Sequence, residues 1–325
     1  MKWTCHSVRT FPRVDWLKLL SVTKNPSPYL LPEWPLFWET MWPGTRAELW
    51  THCNEVGAIE CAVPVVRRGR FGLQMCHSLP MGTPYGPMGD DAALSGSAWL
   101  DLHKALCGRR TVEWCRTGGP SHADIKGWTV DRLGHATWII DALAVDRESL
   151  ATQWSPGHRR NVREGNARNL EFRPVRNRSD VSELIDRWQN AAHRSRIVLN
   201  RRAGPRLCDV FSTTDALLWE SAWWNGRPVA TALFLVHANS AVYVDGAVVR
   251  EQSHGGANHA LFARILASLA QRGIHTVDLG SGPGGQSTDG LDQFKRGWGA
   301  RSTQRRELRC RRRWYAAMRK ALGTA

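Results

Sequence analysis

AVYVDGAVVREQSHGGANHALFARILASLAQRGIHTVDLG, residues 241–280, decides the reading of this chain. It opens with a β-branched, apolar run from Ala241 to Val249 and closes with the shorter apolar run Ile274–Leu279. Between them, two glycines, Gly255 and Gly256, lead into a stretch whose apolar residues recur at helical spacing. Strand, glycine turn, helix and strand in this order predict a βαβ unit with parallel strands. The helix N-terminus then offers unpaired N–H groups to an anion.

Upstream, LLWESAWW and RPVATALFLV are separated by Asn225-Gly226, the residues that a tight hairpin turn demands. A further reversal is expected at HANS, residues 237–240, so an antiparallel meander leads into the βαβ unit. Before it, Leu184, Ile185 and Trp188 mark a helix from about Asp180 to Arg194, and a strand is expected around Leu170–Val175. A helix carrying Arg159, Arg160 and Arg163 precedes that strand. In the first half, two β-rich runs around Arg68-Gly69-Arg70 read as a hairpin. A Gly/Pro-rich loop around Tyr85, a helix from about Ala92 to Leu106 and strands at 111–117 and 136–143 follow. The expected class is α/β (α+β), with mostly antiparallel sheets flanked by helices. At 325 residues the chain suits two domains, placed at 1–147 and 148–325.

The net charge of +15 is uneven along the sequence. Up to Arg147 there are 16 Lys or Arg against 14 Asp or Glu; from Glu148 onward there are 28 against 15. The segment FKRGWGARSTQRRELRCRRRW, residues 294–314, carries most of the excess in a strand-like alternation. Such a block suits a polyanion; the competing reading is a solvated tail, against which the alternation argues for a structured basic surface. Eight scattered cysteines without a C-x-x-C pair point to reduced thiols and signal no metal site. No stretch has the length of an apolar membrane span, and the N-terminus has no signal-peptide core, so a cytoplasmic protein is expected.

Gln252-Ser253-His254-Gly255-Gly256-Ala257 matches Q-x-x-G-x-A and resembles the pyrophosphate loop of the GNAT acyltransferases. The resemblance implies that Gln252, Gly255, Gly256 and Ala257 hold coenzyme phosphates. A more specific likeness lies in DLGSGPGGQSTDGLDQFKRGWGA, residues 278–300, which resembles the C-terminal signature of the Fem family. WSPGHRRNVREGNARNLEF (154–172) and SLPMGTPYGPMGDD (78–91) resemble that family's second-domain helix and strand and its first-domain glycine loop. Membership would imply two tandem GNAT-like domains. It would also imply aminoacyl-tRNA-dependent formation of an amide or peptide bond on an amine. The interval from Asp180 to Gly204 is too short for the helical arm of larger members. A cell-wall precursor is therefore not the expected acceptor, and a small amine-bearing natural product, which other proteins of this type use, stays open.

By this resemblance Lys295 pairs with a phosphate of the tRNA 3′ end or with the developing oxyanion, and Phe294 offers a stacking face to the terminal base. The alternative for Phe294 is a core aromatic. Tyr243 and Asp278 are expected beside the cleft, although a strand-end Asp such as Asp278 is more often a cap or loop brace. Arg301, Arg305, Arg306, Arg309, Arg311, Arg312 and Arg313 would form an electrostatic track for tRNA, extended by Arg159, Arg160 and Arg163, with Arg194 and Tyr85 on the substrate side. Only half the arginines of an alternating strand can face one ligand. No resident cofactor or metal is expected; aminoacyl-tRNA serves as co-substrate. Two other readings stay open: an acyl-CoA N-acyltransferase, and a non-catalytic RNA-binding adaptor on a GNAT scaffold.

Overall fold

The computed structural model describes all residues except 1–2, 25, 71, 79–86, 91–95, 118–125, 142, 144–146, 189–196, 250–255, 282–289 and 324–325. The chain divides into two compact units, Met1–His135 with Gln304–Ala325, and Ala136–Thr303. The expected division at 147/148 thus gives way to one in which the last 22 residues return to the first unit.

In the first unit, β1 (Trp3–Ser7) pairs antiparallel with β2 (Thr45–Cys53), after α1 (Arg13–Val22) and α2 (Glu33–Met41). β2 pairs with β3 (Ile59–Arg70), and β3 with both β4 (Leu73–His77) and the short β5 (Met88–Gly89). The reversal between β3 and β4 comes after Arg70, not at Arg68–Arg70, because β3 continues far enough to pair Arg70 with Leu73. Gly72 supplies the positive φ of 76° that this turn requires. α3 (Gly96–Leu106) buries Trp99, Leu102 and Leu106 against Trp3, Val63, Val65 and Trp114. β6 (Thr111–Thr117) runs parallel to β4, and β7 (Trp128–Ile140) follows.

The second unit takes the end of β7, then α4 (Arg147–Thr152), α5 (Pro156–Asn166) and β8 (Glu171–Pro174). α6 (Arg178–Arg187) begins with a reciprocal cap: Asn177 accepts from the Asp180 N–H, and Asp180 from that of Asn177. Trp188 ends it, so the helix expected to reach Arg194 is shorter, and Arg194 lies outside the described residues. After α7 (Ala203–Phe211), β9 (Leu217–Trp224), β10 (Arg227–His237) and β11 (Ser240–Val248) form the expected meander. Asn225 and Gly226 both take positive φ, 48° and 73°, as a two-residue hairpin requires. β10 lies between two partners and is buried almost throughout, which is why its sequence is an apolar run without alternation.

α8 (Ala257–Gln271) carries the chain to β12 (Thr276–Ser281), which pairs parallel with β11 and antiparallel with β7. The expected βαβ unit is present. α9 (Gly290–Gly297) bears the Phe294-Lys295 pair. β13 (Arg301–Arg312) and α10 (Arg313–Ala321) complete the chain, with β13 pairing antiparallel to β6 in the first unit.

Candidate active site

The site is built where β12 ends. Among the described residues the ladder between β11 and β12 runs from Ser240–Thr276 to Val242–Asp278. Beyond it Gly280 takes φ 79°, within the irregularity where the β12–β7 register shifts between Asp278 and Ser281. The Lys295 ammonium reaches back from α9 and donates to that carbonyl at 3.0 Å. Lys295 is 3% exposed. Burial lowers its pKa to about 8 against the pull of Asp278 and Asp292.

Asp278 is the brace of this corner. It accepts from the Thr137 hydroxyl at 2.6 Å and from the Gly280 N–H at 2.8 Å. Its negative charge faces the lysine, and its lone pairs hold the strand end in shape. On the other side of α9, Asp292 accepts from the Trp138 indole N–H at 3.0 Å, and the Arg296 guanidinium lies 5.4 Å from the Trp138 ring centroid.

Phe294 faces inward, into a cluster with His158, His259, Phe262 and Trp298 at centroid distances of 5.0–5.8 Å. It is the core aromatic of the two readings its sequence left open; as a half-buried residue packed into the core it has one side committed. Tyr243 likewise packs on Phe234 and Phe262. Burial, then the Asp245 carboxylate, pushes its phenol well above the ordinary value, so it keeps its proton at neutral pH and is no general base there.

His158 is the residue that sequence reasoning did not assign. Its Nε2 donates to the Phe294 carbonyl at 2.9 Å, and its Nδ1 lies 3.2 Å from the Ser155 hydroxyl. A carbonyl only accepts, so Nε2 carries the proton and Nδ1 accepts from Ser155. Burial lowers its pKa, with the Phe294 bond opposing, which keeps the ring neutral. The Ser155 N–H also bonds the Gly297 carbonyl at 2.8 Å. A Cβ on Gly297 would stand 2.0 Å from the His158 ring, so glycine is needed there. The start of α5 thus clamps the end of α9. The available signal was Ser155 followed three residues later by His158, an N-cap with an imidazole one turn on.

The glycines at α8 have a comparable explanation. Gly256 is its N-cap at φ 87°, and a Cβ there would meet the Asn161 carbonyl of α5 at 1.9 Å. From α5, a Cβ on Gly165 would meet the Gly256 carbonyl at 2.4 Å. Ala257 is buried. Helix packing alone accounts for small residues at 256 and 257, while Gln252 and Gly255, expected with them at a phosphate, lie outside the described residues, as does Tyr85.

The arginines of the expected track have different surroundings. Arg311 is buried and donates to Glu113 at 2.8 Å, with Asp131 at 3.7 Å. Arg309 pairs with Glu307 at 3.2 Å. Arg312 donates to the carbonyls of Thr111 and Gly108, at 2.9 and 3.0 Å. Arg305 is half-buried, and the Arg306 side chain lies outside the described set. Arg301 and Arg313 are exposed. A strand in mid-sheet must satisfy its inward cations internally, so Arg309, Arg311 and Arg312 have a structural role, while Arg301 and Arg313 face outward. On α5, Arg160 pairs with Glu164 at 3.5 Å, Arg159 donates to the Trp154 carbonyl at 2.9 Å, and Arg163 is exposed.

One group among the described residues has metal-ligand atoms close together: His77, Glu113 and Cys115. Burial acts to raise the Glu113 carboxyl, but its bond to Arg311 holds it below the ordinary range. Arg319 lies 3.7 Å from the same carboxylate, and burial pushes the Cys115 thiol up. Two guanidiniums on one carboxylate make this an ion-pair network hostile to a further cation.

Residues 157–296 match the model of a family described as an acetyltransferase (GNAT) domain. No curated protein matches the sequence. Among solved structures the chain is similar to FemX, with 11% identity, TM-score 0.71, and 95% of this chain and 97% of that one covered. It is also similar to a tandem GNAT protein from the clavulanic acid biosynthesis pathway, with 12% identity, TM-score 0.57, and 95% and 97% covered. The C-terminal domain of a putative lysylphosphatidylglycerol synthetase from Agrobacterium fabrum gives 16% identity, TM-score 0.56, and 91% and 92% covered. The chain has a tandem GNAT-type fold of mixed, mostly antiparallel sheets flanked by helices, as its sequence led us to expect.

Proposed function

We propose that the chain is an acyltransferase that moves an aminoacyl group from tRNA to an amine-bearing acceptor, a small natural product in preference to a cell-wall precursor. The observation that carries this reading is Lys295, a lysine buried at a strand end whose ammonium remains mostly protonated at neutral pH. The ester of a charged tRNA is already activated, so the enzyme has to align the amine and stabilise the tetrahedral oxyanion. A preorganised ammonium in a place shielded from water does the second. Asp278 keeps it charged, and His158 fixes the helix that presents it. The likeness to FemX across nearly the whole chain supports the same reading.

The basic excess is divided differently between the folded units than along the sequence. The unit holding Lys295 has 21 Lys or Arg against 16 Asp or Glu, and the first unit has 23 against 13. The larger excess therefore belongs to the first unit. A second reading, acyl-CoA as donor, is favoured by the acetyltransferase model over 157–296 and by the N-terminus of α8 opening from a glycine at positive φ.

The test is to incubate the purified protein with a mixture of radiolabelled aminoacyl-tRNAs and a panel of primary amines, following loss of the ester. Parallel reactions with acetyl-CoA follow thiol release. Amine-dependent loss of ester that is absent with Lys295→Ala is the expected result. Thiol release without loss of ester would replace the tRNA reading by the acyl-CoA one.

A further inference from the structure

In the second unit, α5 and α8 border a cavity of about 740 Å3, within the roughly 300–1,000 Å3 typical of small-molecule sites. Much of its α8 wall is alanine: Ala260, Ala263, Ala267 and Ala270 all line it. Trp154 forms part of the floor and packs edge-on against Trp298 at 5.0 Å, which in turn meets Phe294. A layer of aromatic rings thus stands between this cavity and the Lys295 helix.

Its charge is lopsided. Arg159 and Arg163 both line it, one helical turn apart, and like charges at that spacing repel. The nearest acid on α5, Glu164, pairs with Arg160 instead. The one carboxylate in the lining, Glu220, is already bound by Arg264 at 3.0 Å. Arg264 is spent on Glu220 and Arg159 gives one donor to the Trp154 carbonyl at 2.9 Å, which leaves two guanidinium charges on the rim with no carboxylate opposite them among the described residues.

We propose that this cavity is a second ligand site, distinct from the Lys295 corner, for a small molecule with an anionic head, phosphate or carboxylate, on an apolar body. Arg159 and Arg163 hold the head, and the hollow lined by the alanines takes the body. The site does not depend on which donor the enzyme uses.

Octyl phosphate, octanoate and inorganic phosphate, each below any micellar concentration, would be titrated calorimetrically into the full chain with no RNA or coenzyme present. At least one octyl ligand is expected to bind one per chain, at least tenfold tighter than inorganic phosphate; which of the two binds better identifies the head. The double variant Arg159→Ala/Arg163→Ala should weaken it at least tenfold, and Ala267→Trp should abolish it. If Ala267→Trp fails to fold, Ala267→Leu, a smaller plug, is used and should weaken binding at least tenfold. Inorganic phosphate binding as tightly as the octyl ligands, octyl binding unmoved by the plug or by arginine removal, or no binding would each overturn the proposal.

Discussion

Lys295 shows how one buried charge sets opposite demands on function and stability. Its pKa falls from 10.5 to about 8 on burial. Between those values the unfolded chain binds more protons than the folded one, so this group's contribution to stability rises with pH through that window. At pH 7 the buried ammonium is a cost. Lys295→Met should therefore lower turnover at least tenfold while raising the melting temperature at pH 7. The gain should shrink when melting is repeated above pH 8. Turnover of the native protein should decline above about pH 8, as the ammonium discharges; a profile that rises there would assign the neutral amine as a base. His259 gives the acid counterpart. Burial, then His158, lowers it from 6.5 to about 4. The unfolded chain binds the extra proton first, so stability is lost as pH falls from 6.5 towards 4. His259→Phe should flatten that loss in urea titrations at pH 7 and pH 4.5.

At the scale of elements, the second unit depends on two close approaches of α5, to the end of α9 through His158 and Gly297, and to the start of α8 through Gly165 and Gly256. Gly297→Ala should displace the imidazole and cost both stability and turnover. His158→Ala leaves the space open but removes the bond to the Phe294 carbonyl, so its effect should fall more on turnover than on the melting temperature. The meander and the βαβ unit were legible because turn residues and apolar runs are local signals: Asn225-Gly226 can do little else. The clamp was not legible, because a histidine and a glycine 139 positions apart carry no local mark of their contact.

For the molecule as a whole, the last strand changes the meaning of its arginines. Arg311 is bound to Glu113 inside the first unit's sheet. Removing one partner of such a buried pair costs about 3–5 kcal/mol, so Arg311→Ala should be read first as a folding defect, by chemical denaturation. Arg301→Ala and Arg313→Ala, at exposed positions, are the variants suited to testing RNA binding. On the tRNA reading each should reduce the salt slope by roughly 1 or less. An unchanged slope would remove both from the interface.

The sequence by itself determined the fold class, the meander, the βαβ crossover and the placing of Phe294 and Lys295 after a glycine-rich stretch. These follow from short-range periodicity and turn chemistry, which each segment carries alone. Only the tertiary structure decided that residues 304–325 return to the first unit, that Phe294 packs inward, and that Arg309, Arg311 and Arg312 are spent on internal partners. Those outcomes depend on which strand a segment pairs with. Pairing brings together residues nearly 200 positions apart, such as Glu113 and Arg311, whose opposite charges become a bond only when β6 and β13 lie side by side.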